Sequence, residues 1–337
     1  MDKTRTSSSQ NDPTAEYTAF SESTALIDLS HRAILRLTGK DPVGMLNAIL
    51  TNDVPPKMRL GAYAALLNPK GRVRTDLRVL KNGDDVFVDT GPEGVEAAKE
   101  ILGRYAPFSR VKMEDLSTAD EPWAIIGLYG PQARELLGDL DPAEHEAVRV
   151  EIGGFALLVA GVAAPVGGYD VICAPGSLPA VREYLIGAGA TPAGSDAYET
   201  ARIAAGIPRF GADITPDNFP GESENFLQRA VSFGKGCYPG QETVARMHYR
   251  GSPNKKLYRF ELEPGSMEPP EAGDEILQGE KKLAGPVPSV DVVGWLSSVA
   301  PLPVDGKVYA LGYLSRKADP ESSMRARDAR VLAVTPA

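Results

Sequence analysis

Metal-ligating and redox-active side chains are scarce in this chain. Its 337 residues include three histidines, His31, His145 and His248, and two cysteines, Cys173 and Cys237. The histidines form no ligand spacing with either cysteine, which argues against structural zinc. An iron–sulfur cluster takes about four protein ligands, so this chain alone does not hold one in the usual way. A disulfide between the two cysteines is not expected in a reducing compartment. No apolar run approaches the ~20 residues that cross a bilayer, and no membrane partner is expected. Residues 1–15 are rich in Ser and Thr, without an apolar signal core, and Asp2 and Asp12 do not suit a mitochondrial presequence. The expectation is a disordered tail over residues 1–17 on a cytoplasmic protein. A Gly-rich phosphate loop, a hydrolase nucleophile elbow and a metalloprotease motif are also missing.

Positive charge is in deficit as well. There are 36 Lys and Arg against 45 Asp and Glu, a formal net charge of −9. That sign argues against nucleic acid as a partner, because the overall field repels a phosphate backbone.

What is present reads as α+β. A strand over residues 62–67 ends at the turn Asn68-Pro69-Lys70-Gly71. Residues 72–80 then alternate, with Val73, Thr75, Leu77 and Val79 on one side and Arg72, Arg74, Asp76 and Arg78 on the other. Asn82-Gly83 marks a hairpin before a strand over 86–90. Pro92 opens a helix through 104. Strands follow at 123–129, 155–160 and 169–173, with helices at 131–140, 178–187 and 196–205. Hairpins mixed with helices in this way indicate α+β and not a doubly wound parallel sheet. Beyond Gly251, Pro and Gly recur between short β-like runs at 257–262, 290–296 and 308–314, the pattern of a small barrel or sandwich. The expected organisation is a larger domain over 18–251 and a barrel over 252–337.

Three segments can carry chemistry. The first is Lys235-Gly236-Cys237-Tyr238-Pro239-Gly240-Gln241-Glu242. Residues 230–233 read as a short strand, the glycines turn the chain, and 241–247 can form a helix. Cys237 then stands just before a helix N-terminus, with Lys235 two residues away, and both features favour a thiolate. Glu242 can pair with Arg246 at i+4. The bland alternative is a tight turn in which the cysteine merely fits. The second is Asp76, read from its arginine neighbours as an ionised acceptor on a salt-bridged, solvated face. The third is the loop after Gly206, where Arg209 could bind a carboxylate and Asp213 could pair with it. Cys237 and His248 as a nucleophile–base pair lack a third, orienting group.

Together these segments resemble the folate-binding YgfZ proteins, relatives of the glycine-cleavage T-protein, an aminomethyltransferase. The cysteine segment matches K-G-C-[FY]-x-G-Q-E. Leu50-Thr51-Asn52-Asp53-Val54, Asn68-Pro69-Lys70-Gly71-Arg72-Val73 with Asp76, and Arg202-Ile203-Ala204-Ala205-Gly206-Ile207-Pro208 stand in the expected order. The resemblance implies three subdomains around a central opening, a C-terminal β-barrel, and tetrahydrofolate as ligand, with Asn52, Asp76 and Arg209 as candidate contacts. It also implies a role in assembling or repairing iron–sulfur clusters, with client enzymes or cluster-assembly proteins as partners and Cys237 as the working residue. Whether Cys237 acts as a nucleophile or as a transient cluster or sulfur contact stays open at this point. Where the T-protein has two adjacent acids this chain reads Thr75-Asp76. Where the T-protein offers a glutamate to the pterin, this chain has Ala204. Folate-dependent aminomethyl transfer or demethylation is therefore the alternative reading.

Overall fold

A computed structural model describes residues 12–337 except 119, 121, 139, 266–267 and 280–290. The first eleven residues of the expected tail lie outside the described ones. From Pro13 the expectation is corrected: Pro13–Glu22 is a helix, with Pro at its start and the Asp12 side chain accepting from the Thr14 N–H at 3.0 Å. The same Asp-Pro device starts the helix Pro42–Ile49, where Asp41 accepts from the Gly44 N–H at 2.8 Å.

Two sheets form the larger part of the molecule. The first is five-stranded and antiparallel, in the order Ala62–Leu67, Val73–Asn82, Asp85–Thr90, Ala33–Gly39, Val111–Asp115. The second has six strands, in the order Thr191–Ala193, Ala25–Asp28, Ala124–Tyr129, Gly168–Cys173, Phe155–Val162, Ala147–Ile152. One face of the first sheet buries Leu35, Leu37, Leu77 and Val79 under the helices Pro42–Ile49 and Val95–Tyr105. Its other face meets the second sheet through Ile34, Leu80 and Phe87 against Ile125 and Ile172. This explains a change along Val73–Asn82: burial alternates as far as Asp76, then runs unbroken from Leu77 to Lys81. The polar side of that strand faces protein, not water.

The helices Ser195–Ala204, Glu224–Ala230 and Gln241–Arg250, with their loops, make a third part. Phe226, Tyr238 and Val244 bury there against Ala65 and Val73 of the first sheet. Last comes a closed barrel in the order Lys255–Glu263, Val308–Ser315, Asp291–Val299, Glu275–Gln278, Met324–Ala326, Ala329–Pro336. Closure leaves no free sheet edge, which suits a small β unit with so short a core. Val290, expected to open a barrel strand, lies outside the described residues.

Two local expectations are corrected. The helix expected over 131–140 is one turn of 3-10 helix, Glu135–Leu137, ended by Gly138 at φ +65°. The strand expected over 230–233 is absent: Ser223 caps the helix Glu224–Ala230, and the chain leaves it through single bonds to the segment around Thr51. Among the described residues, no helix is long and apolar enough to cross a membrane.

Candidate functional site

The polar side of Val73–Asn82 opens on a cavity of about 540 Å³ where the sheets and the helical part meet. Its floor is an ionic network. Arg78, 7% exposed, donates to Asp89 at 2.6 Å and to Asp170 of the second sheet at 2.5 Å. Arg32 holds the other oxygen of Asp89 at 2.6 Å, and the Tyr129 hydroxyl donates to Asp170 at 2.5 Å. Burial alone would raise the Asp89 pKa, but Arg32 and Arg78 outweigh it and hold the carboxyl below its usual range. Two cations facing two carboxylates make a neutral, fully engaged floor, and removal of one member would strand a buried charge.

Asp76 stands beside this floor. The Tyr63 hydroxyl donates to it at 2.6 Å, and burial pushes its pKa up, with Tyr63 and Arg32 opposing. The sequence expectation of a salt-bridged, solvated face is corrected here. Arg78 turns inward to Asp89 and Asp170, Arg74 pairs with Glu100 at 3.1 Å, and Arg72 lies over the Phe219 ring at 4.6 Å. Asp76 is left with a tyrosine.

The remaining walls come from distant segments. Tyr198, Glu199 and Arg202 project from Ser195–Ala204, and Arg209 from the loop that follows. Arg209 reaches Glu93 at 2.9 Å, not Asp213 through its side chain. Arg229 lies over the Tyr63 ring at 5.1 Å and faces Glu144 at 3.4 Å. Next to Glu144 is His145, at φ +64°; burial lowers its pKa to about 4, so the imidazole is neutral near pH 7. One buried polar atom of this lining, His145 Nδ1, has no hydrogen-bond partner among the described residues, whereas Arg209 Nε faces Glu199 at 3.5 Å. Buried unpaired groups are rare in native proteins and mark places where a partner belongs.

Asn52 does not line the cavity. Its side-chain amide donates to the carbonyls of Tyr63 at 2.9 Å and Arg229 at 3.0 Å, bracing two wall residues from behind. Ala204 is not in the lining either, whereas Glu199 is, and it binds Arg202 through both oxygens at 3.0 and 2.7 Å.

The cysteine segment forms a separate feature. Cys237 is exposed and is not part of the cavity lining, while Cys173 is buried and its thiol is pushed up to about 12 by burial. The loop's shape is set by close backbone contact. Gly240, at φ +84°, packs against the Asn68–Gly71 turn so tightly that a Cβ there would lie 2.6 Å from the Asn68 carbonyl oxygen and 2.8 Å from Gly71 Cα. Two sequence motifs far apart along the chain thus form one structure. Gln241–Arg250 is a helix that buries only Val244. Lys235, expected to lend charge to the thiol, instead donates to the carbonyls of Asn47, Leu50 and Asn52 at 2.9, 2.5 and 3.2 Å. Its positive charge is spent on carbonyls left open at the end of Pro42–Ile49. Gly236 is exposed, and Tyr238 buries its ring beside Lys235 at 5.4 Å. Glu242 and Arg246 form no ion pair among the described residues. His248 stacks on Phe233 with ring centroids 4.0 Å apart, next to the exposed Tyr249. Among the described residues, no three His, Cys, Asp or Glu side chains gather as metal ligands.

Sequence reasoning missed Arg32, Tyr63, Arg78, Asp170, Glu199, Arg229 and His145 as parts of one cavity. A signal existed for two of them. Arg78 interrupts Leu77-Arg78-Val79-Leu80 and Asp170 interrupts Tyr169-Asp170-Val171-Ile172, each a lone charge inside an apolar run.

Known proteins resemble this chain in sequence and fold. Residues 4–235 match the family of the GCVT N-terminal domain. A protein of Sodalis glossinidius named tRNA-modifying protein YgfZ is 30% identical over 269 residues, covering 74% of this chain and 75% of its own length. An aminomethyltransferase of Rubrobacter xylanophilus is 29% identical over 265 residues, covering 74% and 68%. The glycine cleavage system aminomethyltransferase T of Bartonella henselae has the same fold, with a TM-score of 0.74 over 96% of this chain and 87% of its own, at 20% identity.

Proposed function

The chain belongs to the YgfZ/GcvT-like family, and on that premise we propose that it binds tetrahydrofolate in the central cavity and serves assembly or repair of iron–sulfur clusters in client enzymes through Cys237. The observation that carries the folate reading is Asp76, a carboxylate held off bulk solvent beside Tyr63 in a cavity with cations on its rim. A reduced pterin presents N–H donors, which a carboxylate accepts; a folate tail presents carboxylates, which arginines bind. The lining fits both ends. Asp76 and Tyr63 would hold N–H groups, the stacked Tyr129 and Tyr198 rings give a flat apolar surface, and Arg209 and Arg229 would meet carboxylates. The unpaired His145 Nδ1 adds a polar atom in want of a partner. When bound, tetrahydrofolate supplies nitrogen atoms that carry one-carbon units; the protein's part is to orient it and exclude water.

Support for the second half of the reading is the exposure of Cys237 on a rigidly built loop, where another macromolecule can reach it. A tRNA-modifying enzyme that carries an iron–sulfur cluster is the first client to assay, given the name of the relatives.

Calorimetry with tetrahydrofolate tests the cavity. Wild-type protein should bind, and Asp76→Asn should weaken binding about tenfold or more, the value of a charge-assisted hydrogen bond. Burial raises the Asp76 pKa, so its ionised form and the affinity for an N–H donor both grow as pH rises through that raised value. Stability runs the other way: this carboxyl contributes most at low pH, and the contribution is lost as pH rises through the same window. Asp76→Asn should flatten both profiles. Cys237→Ser should leave tetrahydrofolate affinity unchanged and lower cluster-dependent client activity in cells. No binding by the wild-type chain removes the folate reading; undiminished client activity in Cys237→Ser removes the role of the thiol.

A further inference from the structure

Arg209 reaches the cavity from an irregular loop, and the loop's anchor lies elsewhere. Between the helix Ser195–Ala204 and residue 214 the chain closes a turn on itself: the Asp213 and Ile214 N–H groups donate to the Arg209 carbonyl at 2.9 and 3.1 Å, and the Gly211 N–H to the Ile214 carbonyl at 2.8 Å. Asp213, 1% exposed, ties that turn to its surroundings. Its Oδ2 accepts from the Arg209 backbone N–H at 3.0 Å and from Arg202 at 2.7 Å. Its Oδ1 accepts from the Ser297 hydroxyl at 2.5 Å, and its backbone carbonyl from the Tyr313 hydroxyl at 2.8 Å. Ser297 and Tyr313 belong to the barrel strands Asp291–Val299 and Val308–Ser315. Arg202 repeats the pattern, donating to Glu199 on the cavity side and to the Ser298 hydroxyl at 3.0 Å on the barrel side. Yet among the described residues no barrel residue lines the cavity.

We infer that the C-terminal barrel sets the position of the Glu199–Arg202–Arg209 wall through Asp213, which makes Asp213 a positioning residue of the cavity and the barrel a remote part of the binding site. A carboxylate that accepts from a loop amide, a buried guanidinium and a barrel hydroxyl fixes all three relative to one another. A ligand group bound by Arg209 therefore meets a cation whose place depends on strands it never touches. The consequence for affinity rests on the folate reading above; the consequence for the loop does not.

Asp213→Asn would leave Arg202 buried beside a neutral amide and risks unfolding, so the barrel side is the place to cut. Ser297→Ala and Tyr313→Phe remove two hydroxyls without changing charge, and Phe keeps the ring stacked on Trp295. Ile276→Val, in the barrel interior away from the clamp, is the comparator, chosen because it loosens the barrel without touching Asp213. Two measurements on the full chain decide the matter. In hydrogen–deuterium exchange, the double variant Ser297→Ala/Tyr313→Phe should raise exchange across residues 209–214 about tenfold, and Ile276→Val should not. In calorimetry with tetrahydrofolate, the double variant should bind at least about tenfold more weakly, the loss expected from one displaced hydrogen bond to a charged group. Ile276→Val should stay within about twofold, and Ser297→Thr, which keeps the hydroxyl, should retain affinity. Unchanged exchange in the double variant overturns the inference, as does an equal loss of affinity in the comparator. If the wild-type chain binds no tetrahydrofolate, the folate reading fails, and the exchange measurement still decides whether the barrel holds the loop.

Discussion

The cavity and the cysteine loop are both polar features on one chain, but they are held by opposite means. In the cavity, side chains hold side chains: Arg32, Arg78, Asp89 and Asp170 join the two sheets through charge. In the loop, backbone holds backbone: Gly240 sits on Asn68 and Gly71, and the lone cation, Lys235, is given to three carbonyls. The first arrangement tunes protonation: Arg32 and Arg78 hold the Asp89 carboxyl below its usual range against the effect of burial. The second tunes shape and leaves the thiol exposed. A site built by charge suits recognition of a small polar ligand out of water. A site built by steric fit on the surface suits contact with another macromolecule.

The sharpest way to break this comparison is to take one charge from the cavity. Arg78→Met should cost about 3–5 kcal/mol, because Asp170 loses the cation it pairs with directly among the described residues and Asp89 is left with Arg32. Urea unfolding measures it. At temperatures where the variant stays folded, reactivity of Cys237 should match wild type, since the loop draws nothing from that network. A loss under about 1 kcal/mol would mean that the floor is not held by charge.

The reciprocal cut is Gly240→Ala. The left-handed backbone alone costs about 1–2 kcal/mol for a residue with a Cβ. Here the added atom also meets backbone of Asn68 and Gly71 below 3.0 Å, neither of which can rotate away. The expected loss is about 2–4 kcal/mol by urea unfolding. Tetrahydrofolate affinity should hold, because no cavity residue leans on that contact. Weakened binding with intact stability would show that loop and cavity are coupled.

The same contrast separates what was legible in the sequence from what was not. Local rules suffice for the hairpin at Asn82-Gly83, the alternation of Val73, Thr75, Leu77 and Val79, and the helix after Gly240, since each is decided by neighbours along the chain. The strand Ala25–Asp28 was missed because it is fixed by partners more than 90 residues away, in Ala124–Tyr129 and Thr191–Ala193. Asp76 was legible as a candidate but not its environment: Arg78 looks like its salt-bridge partner in sequence and turns to Asp89 and Asp170 in space. Lys235 shows the same limit. Its closeness to Cys237 in sequence suggested an activating charge, and its side chain goes to carbonyls more than 180 positions earlier. The cysteine motif could be read whole because its residues are contiguous, although the contacts that shape it, at Asn68, Gly71 and Asn47 to Asn52, come from far along the chain. The cavity could not, because charges pair across the fold.

The smallest effect tests the separation most directly. The two thiols differ in the property that governs alkylation: Cys237 is exposed, whereas Cys173 is buried in the core of the second sheet with its pKa pushed up to about 12. Iodoacetamide on the native chain at pH 8 should therefore modify one thiol per chain, and mass spectrometry should place it on Cys237, with Cys173 reacting only after unfolding. Saturating tetrahydrofolate should then change the Cys237 rate by less than about twofold, because the thiol lies outside the cavity lining and feels a bound ligand only through the protein's field, which salt screens within about 10 Å. Protection of Cys237 by tetrahydrofolate would mean that ligand and thiol share a site that the resting geometry keeps apart, and the division between a charged cavity and a steric loop would have to give way to a single, closing one.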